Sequence, residues 1–162
     1  MRDPLIGTRI NRYEIRESVH KSDLIGIYKA YDTKLERYVL IKTIIHSSDY
    51  SKEAVDFFLA ESKSLAKLAH PNIAKALDFG YENGNLYLIS EYIPGNPLSD
   101  LMNHPMPWQN AINILIPLTN ALVYAHSRGI IHRDLKPDNI IINTDDQPIL
   151  SDFSLMRIIE EE

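Results

Sequence analysis

Alternating apolar and polar residues mark the beginning of the chain as part of a sheet. The alternation is clearest over residues 13–19 (YEIRESV) and 25–32 (IGIYKAYD), and residues 37–45 (RYVLIKTII) are rich in β-branched and aromatic side chains. Such stretches are typical of strands that have one buried face. We therefore predict three consecutive strands joined by polar turns.

A helix and two further strands follow in the pattern. Residues 51–69 carry apolar side chains at helical spacing, and Ser51 or Asp49 can cap the first turn of this helix. Residues 72–80 (NIAKALDFG) and 85–93 (NLYLISEYI) predict two strands with a turn between them.

Proline and glycine interrupt the pattern at residues 94–97 (PGNP), where we predict a linker. Residues 107–128 predict a long helix that ends before Gly129, and short strands follow at residues 140–143 and 148–151. This order of elements is typical of an α+β chain with two lobes. The expected division is a tail over residues 1–12, a first lobe over 13–93, the linker over 94–97 and a second lobe over 98–162.

Composition removes several classes of function. The net charge of −5, with 17 basic and 22 acidic residues and no basic block, argues against a nucleic-acid surface. Without cysteine the chain has no disulfides or thiolate chemistry. No apolar stretch approaches the about 18 residues that a membrane span needs, and no signal peptide is visible. We therefore expect a cytoplasmic protein.

Two charged residues lie in apolar surroundings. Lys42 shares a strand face with Leu40 and Ile44, and Glu61 falls within the apolar arc of the helix predicted over residues 51–69. A charge buried alone is costly, so we expect the two to pair with each other. The alternative interpretations are a purely structural ion pair or two side chains whose charged ends reach solvent.

A charged loop over residues 132–139 (HRDLKPDN) lies between apolar segments, and residues 151–153 (SDF) follow the last predicted strand. An isolated Asp at a strand end is usually a turn residue. Asp134, Asn139 and Asp152 together supply several oxygen ligands near two strand ends. Magnesium takes such ligands, usually with phosphate oxygens completing its shell. The combination therefore predicts a site for phosphate and metal.

Together these segments resemble the eukaryotic-type (Hanks-type) protein serine/threonine kinase family, of the kind also found in bacteria. The matching segments occur in the family's order: VLIK (39–42), Glu61, HPNI (70–73), SEYIPG (90–95), HRDLKPDN (132–139) and SDF (151–153). The resemblance covers nearly all of residues 13–153. It implies a kinase-like α+β fold, with a five-stranded antiparallel N lobe that contains one helix and the first, mainly helical part of the C lobe.

The resemblance also implies roles in phosphoryl transfer from ATP and Mg²⁺ to a protein hydroxyl. Asp134 would orient or deprotonate the acceptor hydroxyl, and Lys136 would neutralise the transferred phosphate. Lys42, held by Glu61, would contact the α and β phosphates, and the backbone of residues 91–93 would meet the adenine. The implied nucleotide-binding residues are Val19, Ile27, Leu40, Lys42, Glu91, Ile93, Asn139, Ile141 and Asp152, of which Asn139 and Asp152 would hold the metal.

Several positions depart from the family pattern. His20, Ser22 and Ile25 stand where the three phosphate-covering glycines are expected, which predicts weak nucleotide cover. Leu40 replaces a small residue and would crowd the adenine pocket, and Ser154 replaces the glycine that follows Asp-Phe.

The sequence stops at residue 162, before the family's later helices. We therefore expect a truncated kinase domain with impaired transfer, and apolar C-lobe surface exposed on the helix over residues 107–128 that favours self-association. The family implies a protein substrate or partner.

Two alternative functions stay open. A pseudokinase, acting as a nucleotide-binding or protein-interaction module, is favoured by the lost glycines. A small-molecule phosphotransferase is disfavoured by residues 135–137 (LKP), which match the protein-kinase version of the loop.

Overall fold

A computed structural model describes residues 3–22, 25–44, 50–82 and 84–153, so Asp49 and Ser154 lie outside the described residues. The chain divides into two compact units: residues 1–66 with 76–92, and residues 67–75 with 93–162. No helix in the described ranges is long and apolar enough to cross a bilayer.

The first unit is built on a six-stranded antiparallel sheet in the order β1-β2-β3-β4-β6-β5. Its strands are β1 (Arg9–Ile10), β2 (Tyr13–Lys21), β3 (Ile25–Asp32), β4 (Arg37–Ile44), β5 (Ala76–Glu82) and β6 (Asn85–Glu91). The five predicted strands are confirmed.

The sixth strand, β1, comes from the segment that was predicted to be a tail. The N–H of Gly7 donates to the carbonyl of Ile15 at 2.8 Å, and the N–H of Ile15 donates to the carbonyl of Thr8 at 3.0 Å. A two-residue strand has no alternation of its own to detect, because it is defined only by its pairing with β2.

The two faces of this sheet have different surroundings. One face carries a buried cluster made of Tyr13, Ile15, Tyr28, Ala30, Val39, Ile41, Tyr87 and Ile89. Lys42 alternates with Ile41 and therefore lies on the opposite face, where its cross-strand neighbours are Ile27 and Leu88. Leu40 shares the face of Lys42, as predicted.

Helix α1 (Lys52–Leu65) packs against β5 and β6. Its predicted start is confirmed, since the Ser51 hydroxyl accepts a hydrogen bond from the N–H of Ala54 at 3.1 Å. The helix ends before the predicted residue 69. Pro71 disfavours helical backbone in the residue before it, and the N–H of Ala69 donates to the Tyr124 hydroxyl at 3.0 Å instead of continuing the helix.

The second unit contains a three-stranded antiparallel sheet in the order β7-β8-β9. Its elements are β7 (Gly95–Pro97), α2 (Leu98–Leu101), α3 (Trp108–His126), a 3₁₀ turn (Pro137–Asn139), β8 (Ile140–Asn143) and β9 (Pro148–Leu150). The long helix and the last two strands were predicted. Gly129 has a φ of 74°, which agrees with its predicted place after the helix.

Residues 94–97 differ from the predicted linker, because Gly95–Pro97 pairs with β8 as an edge strand. Gly95 has a φ of 156°, and a Cβ at this position would collide with the carbonyl oxygen of Ile142. Glycine therefore permits the close pairing of β7 with β8, and proline is tolerated at a sheet edge. The boundary between the units falls between residues 92 and 93 instead.

Residues 67–75 also differ from the predicted division, since they belong to the second unit. Ile73 forms a parallel bridge with Leu150, and the N–H of Leu150 donates to the carbonyl of Asn72 at 2.9 Å. The Asn72 side chain donates to the carbonyl of Pro148 at 2.8 Å. Strand β5 consequently begins at residue 76 rather than at residue 72.

One side of α3 exposes a stripe of large apolar side chains, as predicted. These are Trp108, Ile112, Leu115, Ile116 and Val123, which are between 42% and 69% exposed. At about 100° per residue these five positions fall within about a 100° arc, which places them on one side of the helix.

Candidate active site

Three polar side chains of the second unit meet in the loop that precedes β8. The Lys136 ammonium lies 2.9 Å from the Asp134 carboxylate. The Asn139 amide donates to the same carboxylate at 2.9 Å and to the Asp134 backbone carbonyl at 2.8 Å. The structure therefore brings two of the predicted site residues, Lys136 and Asn139, into contact with the carboxylate of a third, Asp134.

Local backbone geometry sets up this cluster. The N–H of Asn139 donates to the Lys136 carbonyl at 3.0 Å, which closes the 3₁₀ turn begun by Pro137. Arg133 has a φ of 66° and Asp152 a φ of 56°, so both non-glycine residues occupy the left-handed region. Such backbone costs energy and occurs disproportionately at functional sites.

The segment around Asp152 is attached to this loop from both sides. The N–H and hydroxyl of Ser151 both donate to the Asn139 carbonyl, at 2.9 and 3.1 Å. His132, which is 2% exposed, places Nε2 2.8 Å from the Ser151 carbonyl, and its ring lies 4.5 Å from that of Phe153. His132 is therefore a packed structural residue, and Asp152 lies between two anchored neighbours.

Sequence reasoning missed the part played by Ser151. A serine at a strand end is common, and neither its type nor its position distinguishes it from a turn residue. The only available signal was its place directly before Asp-Phe.

The electrostatics of the loop keep Lys136 cationic. The hydrogen bond to Asp134 raises the pKa of the Lys136 ammonium, and the charges of Asp138 and Asp152 raise it further, against an opposing effect of desolvation. Lys136 therefore remains protonated well above neutral pH and can meet a phosphate as a full positive charge.

The residues present fit a magnesium ion bound together with phosphate. The oxygens of Asp134 only accept hydrogen bonds when ionised, so the Asn139 NH₂ group must face them, and the Asn139 Oδ1 remains for a cation. Asp152 adds a carboxylate. Among the described residues no three His, Cys, Asp or Glu side chains gather as a metal site. A cation there needs further oxygens, such as those of a nucleotide.

Lys42 and Glu61 belong to the first unit, and both side chains are half-buried. Lys42 projects from β4 beside Ile27, and Glu61 projects from the middle of α1. Their predicted pairing with each other stays a prediction.

The remaining predicted nucleotide-binding residues are distributed over both units. Val19 is 56% exposed at an irregularity in the β2–β3 pairing. Glu91 ends β6, Ile93 follows the unit boundary, and Ile141 lies in β8 with its side chain half-buried.

The turn between β2 and β3 is closed by a serine rather than by glycines. The N–H of Ile25 donates to the Ser22 hydroxyl at 3.1 Å, and the N–H of Ser22 donates to the Ile25 carbonyl at 2.8 Å. At the end of β2, the Lys21 ammonium lies 2.8 Å from the Asp3 carboxylate, which also accepts from the Tyr28 hydroxyl at 3.1 Å. Side-chain contacts therefore support the end of β2 and the beginning of β3 on either side of this turn.

Comparisons with known proteins identify the family of this chain. The family model of the protein kinase domain matches residues 23–162. The chain is 34% identical over 152 residues to a probable serine/threonine-protein kinase of Clostridium perfringens, an alignment that covers 93% of this chain and 22% of that protein. It is also 34% identical over 154 residues to the serine/threonine-protein kinase PrkC of Bacillus subtilis, covering 93% of this chain and 24% of that protein.

Solved structures show the same fold. The structure described as "PpkA-294 apo form" has a TM-score of 0.77 and 27% identity, and the match covers 96% of this chain and 64% of that chain. The crystal structure of the Mycobacterium tuberculosis PknI kinase domain has a TM-score of 0.78 at 24% identity, covering 91% of this chain and 60% of that chain.

The chain belongs to the protein kinase domain family, and its curated relatives place it with the Hanks-type serine/threonine kinases of bacteria. It spans about a quarter of the length of the two kinases from Clostridium perfringens and Bacillus subtilis, at 22% and 24%.

Proposed function

We propose that this chain is part of a protein serine/threonine kinase domain that uses ATP and Mg²⁺ to phosphorylate a protein hydroxyl. The observation that carries the proposal is the Asp134 carboxylate, held by the Lys136 ammonium at 2.9 Å and by the Asn139 amide at 2.9 Å. A phosphoryl-transfer site needs an oriented proton acceptor, a cation beside it and oxygen ligands for a metal, and this cluster supplies these groups.

In this proposal Asp134 accepts or orients the proton of the attacking hydroxyl. The hydrogen bond that its carboxylate accepts from the Asn139 amide fixes the direction of the carboxylate, which is the positioning that such transfer depends on. Lys136 then neutralises charge on the transferred phosphate. Asn139 and Asp152 would hold Mg²⁺, which supplies charge neutralisation at the phosphates when it is bound.

Lys42 and Glu61, in the first unit, would act on the nucleotide phosphates. Lys42 would contact the α and β phosphates, and Glu61 would hold its ammonium. The adenine of ATP would meet the backbone of residues 91–93, and its ring would be lined by Val19, Ile27, Leu40 and Ile141. These assignments rest on the family's motifs and on the strand and helix positions of the residues.

The alternative is a pseudokinase that binds nucleotide or a protein without efficient transfer. The observation that favours it is the serine-closed turn between β2 and β3, because side chains at His20 and Ser22 keep the backbone N–H groups of the turn farther from a phosphate than glycines would. For the same reason we propose that transfer by this chain is weak.

Titration with ATP by calorimetry, with and without Mg²⁺, tests the proposal. We expect binding that requires Mg²⁺, that is lost in Asp152→Asn, and that is retained in the control Asp145→Asn in the exposed turn between β8 and β9. Absence of ATP binding at millimolar concentration would refute the nucleotide site. Peptide phosphorylation that survives Asp134→Asn would refute the role assigned to Asp134.

We further propose that the chain associates with itself through the exposed side of α3. Beside the apolar stripe, a groove of about 340 Å³ is lined by Leu98, Met102, His104, Met106, Ala111, Ile114 and Leu115. Apolar surface of this kind favours association. Light scattering that shows a monomer at every concentration, without binding of a hydrophobic dye, would contradict it.

A further inference from the structure

A cation enclosed by tyrosine rings lies on the sheet face that carries Leu40 and Lys42. The Lys29 ammonium is 4.7 Å from the ring centre of Tyr38 and 4.5 Å from that of Tyr92. The Tyr38 ring meets the Tyr92 ring edge-on at 6.4 Å. These distances are those of favourable cation–π and aromatic contacts.

The rings are the partners of this charge within the described part of the chain. Glu17 is the direct cross-strand neighbour of Lys29 on β2, yet the described residues include no ion pair of Lys29 with a carboxylate. Tyr31 extends the cluster, with its ring 5.4 Å from that of Tyr38. The ammonium therefore depends on aromatic faces for its position.

The cluster connects the end of β6 to the middle of the sheet. Lys29 on β3 lies directly opposite Leu40 on β4, and Tyr92 is the residue after Glu91, with which β6 ends. A contact that restrains the Tyr92 ring also restrains the backbone of residues 91–93, which is the segment proposed to meet the adenine.

We propose that Lys29 is a positioning residue for nucleotide binding, which fixes the backbone of residues 91–93 through its contacts with Tyr38 and Tyr92. This inference rests on the proposed function. At a partly exposed site each cation–π contact favours the bound arrangement of ring and ammonium by about two- to five-fold, or about 4- to 25-fold for the two contacts together. The Tyr92 contact acts on the segment directly, and the Tyr38 contact holds the ammonium in place for it.

The test compares Lys29→Met, which keeps the apolar stem, with Lys29→Arg, which keeps a cation over the rings. Lys34→Met, in the exposed turn between β3 and β4, is the matched control. The first measurement is amide hydrogen exchange at residues 91–93 without nucleotide. We expect exchange about 3- to 10-fold faster in Lys29→Met, and unchanged exchange in Lys29→Arg and in the control.

The second measurement is the affinity for ATP with Mg²⁺, together with KM and kcat wherever transfer is detectable. We expect the Kd and KM for ATP to rise about 3- to 10-fold in Lys29→Met, with kcat unchanged, and Lys29→Arg to restore both constants. A purely structural role would lower the thermal midpoint of Lys29→Met and leave KM and kcat without this separation.

The outcomes separate this inference from the proposed function. Unchanged exchange in Lys29→Met refutes the positioning role, whether or not ATP binds. Faster exchange with unchanged ATP affinity refutes its connection to the nucleotide. If the unaltered protein binds no ATP, the proposed function fails, and the nucleotide role of Lys29 fails with it.

Discussion

The contact between Asn139 and Asp134 yields the most direct quantitative prediction. In Asn139→Asp, a carboxylate replaces an amide whose NH₂ group donates to the Asp134 carboxylate and to the Asp134 carbonyl. The change preserves size and removes both hydrogen bonds. It also brings a second negative charge beside the first, in a side chain that is 7% exposed in the native protein.

The expected loss of stability follows from these contacts. A hydrogen bond to a charged group contributes about 1.5–3 kcal/mol and a neutral one about 0.5–1.5 kcal/mol. Repulsion between the two carboxylates adds about 1 kcal/mol, because the Asp134 side chain is 40% exposed and water screens it. We therefore expect the free energy of unfolding at neutral pH to fall by about 3–5 kcal/mol.

Lowering the pH should reverse part of this loss. Repulsion raises the pKa of the introduced carboxyl in the folded protein above its value in the unfolded chain, so the destabilisation is full at neutral pH and declines as the pH falls through the raised pKa. The protonated group can again donate one hydrogen bond to Asp134.

Urea unfolding followed by circular dichroism, at neutral pH and near pH 4.5, measures both effects. Asn113→Asp, at an exposed position of α3 outside the apolar stripe, introduces the same charge without these contacts and should change stability by less than about 0.5 kcal/mol. A loss below about 1 kcal/mol in Asn139→Asp, or a loss that is independent of pH, would refute the contact geometry.

Three further predictions concern other parts of the chain. Gly95→Ala should lower the free energy of unfolding by about 1–3 kcal/mol, because of backbone strain and collision with β8. Gly84 also has a positive φ but has open space around it. Gly84→Ala should therefore lose only the part of the stability that backbone strain costs, in the same urea titration. Asp3→Asn should destabilise the protein at neutral pH only. The hydrogen bond from Lys21, and then that from the Leu5 N–H, hold the pKa of Asp3 below its usual value. The stability that the Asp3 carboxylate contributes is therefore present above the pKa of the unfolded chain and is lost as the pH falls through the lower folded pKa. Equal midpoints for wild type and Asp3→Asn at pH 7 would contradict this. A double-mutant cycle of Lys42→Met with Glu61→Gln should give a coupling energy of about 0.5–3 kcal/mol, and strict additivity would leave the pair unsupported.

Local signals predicted the elements that depend on local chemistry. The Ser51 cap and the end of α3 before Gly129 were found because a capping side chain and a left-handed glycine act within one turn of the helix. The candidate site residues were proposed because charged groups in apolar surroundings are costly unless they meet a partner or a ligand, and because their order along the chain is specific. Of these, the structure places Asp134, Lys136 and Asn139 in contact.

The features that sequence reasoning missed depend on distant partners. Strand β7 pairs with residues 141–143, more than 40 positions away, and its proline and glycine suggest a break when they are considered alone. Residues 67–75 join the second unit through contacts with β9 that no local pattern encodes. The tyrosines around Lys29 are ordinary strand residues until the sheet brings them together.

The exposed stripe on α3 carries an intrinsic fluorescent probe. Trp108 is the single tryptophan of the sequence and is 69% exposed at the start of that helix. Indole in water emits at longer wavelength than indole in an apolar contact. A partner, a second copy or any segment that covers this side of the helix should therefore shift the emission of Trp108 to shorter wavelength, without a label and without altering the residues around Asp134.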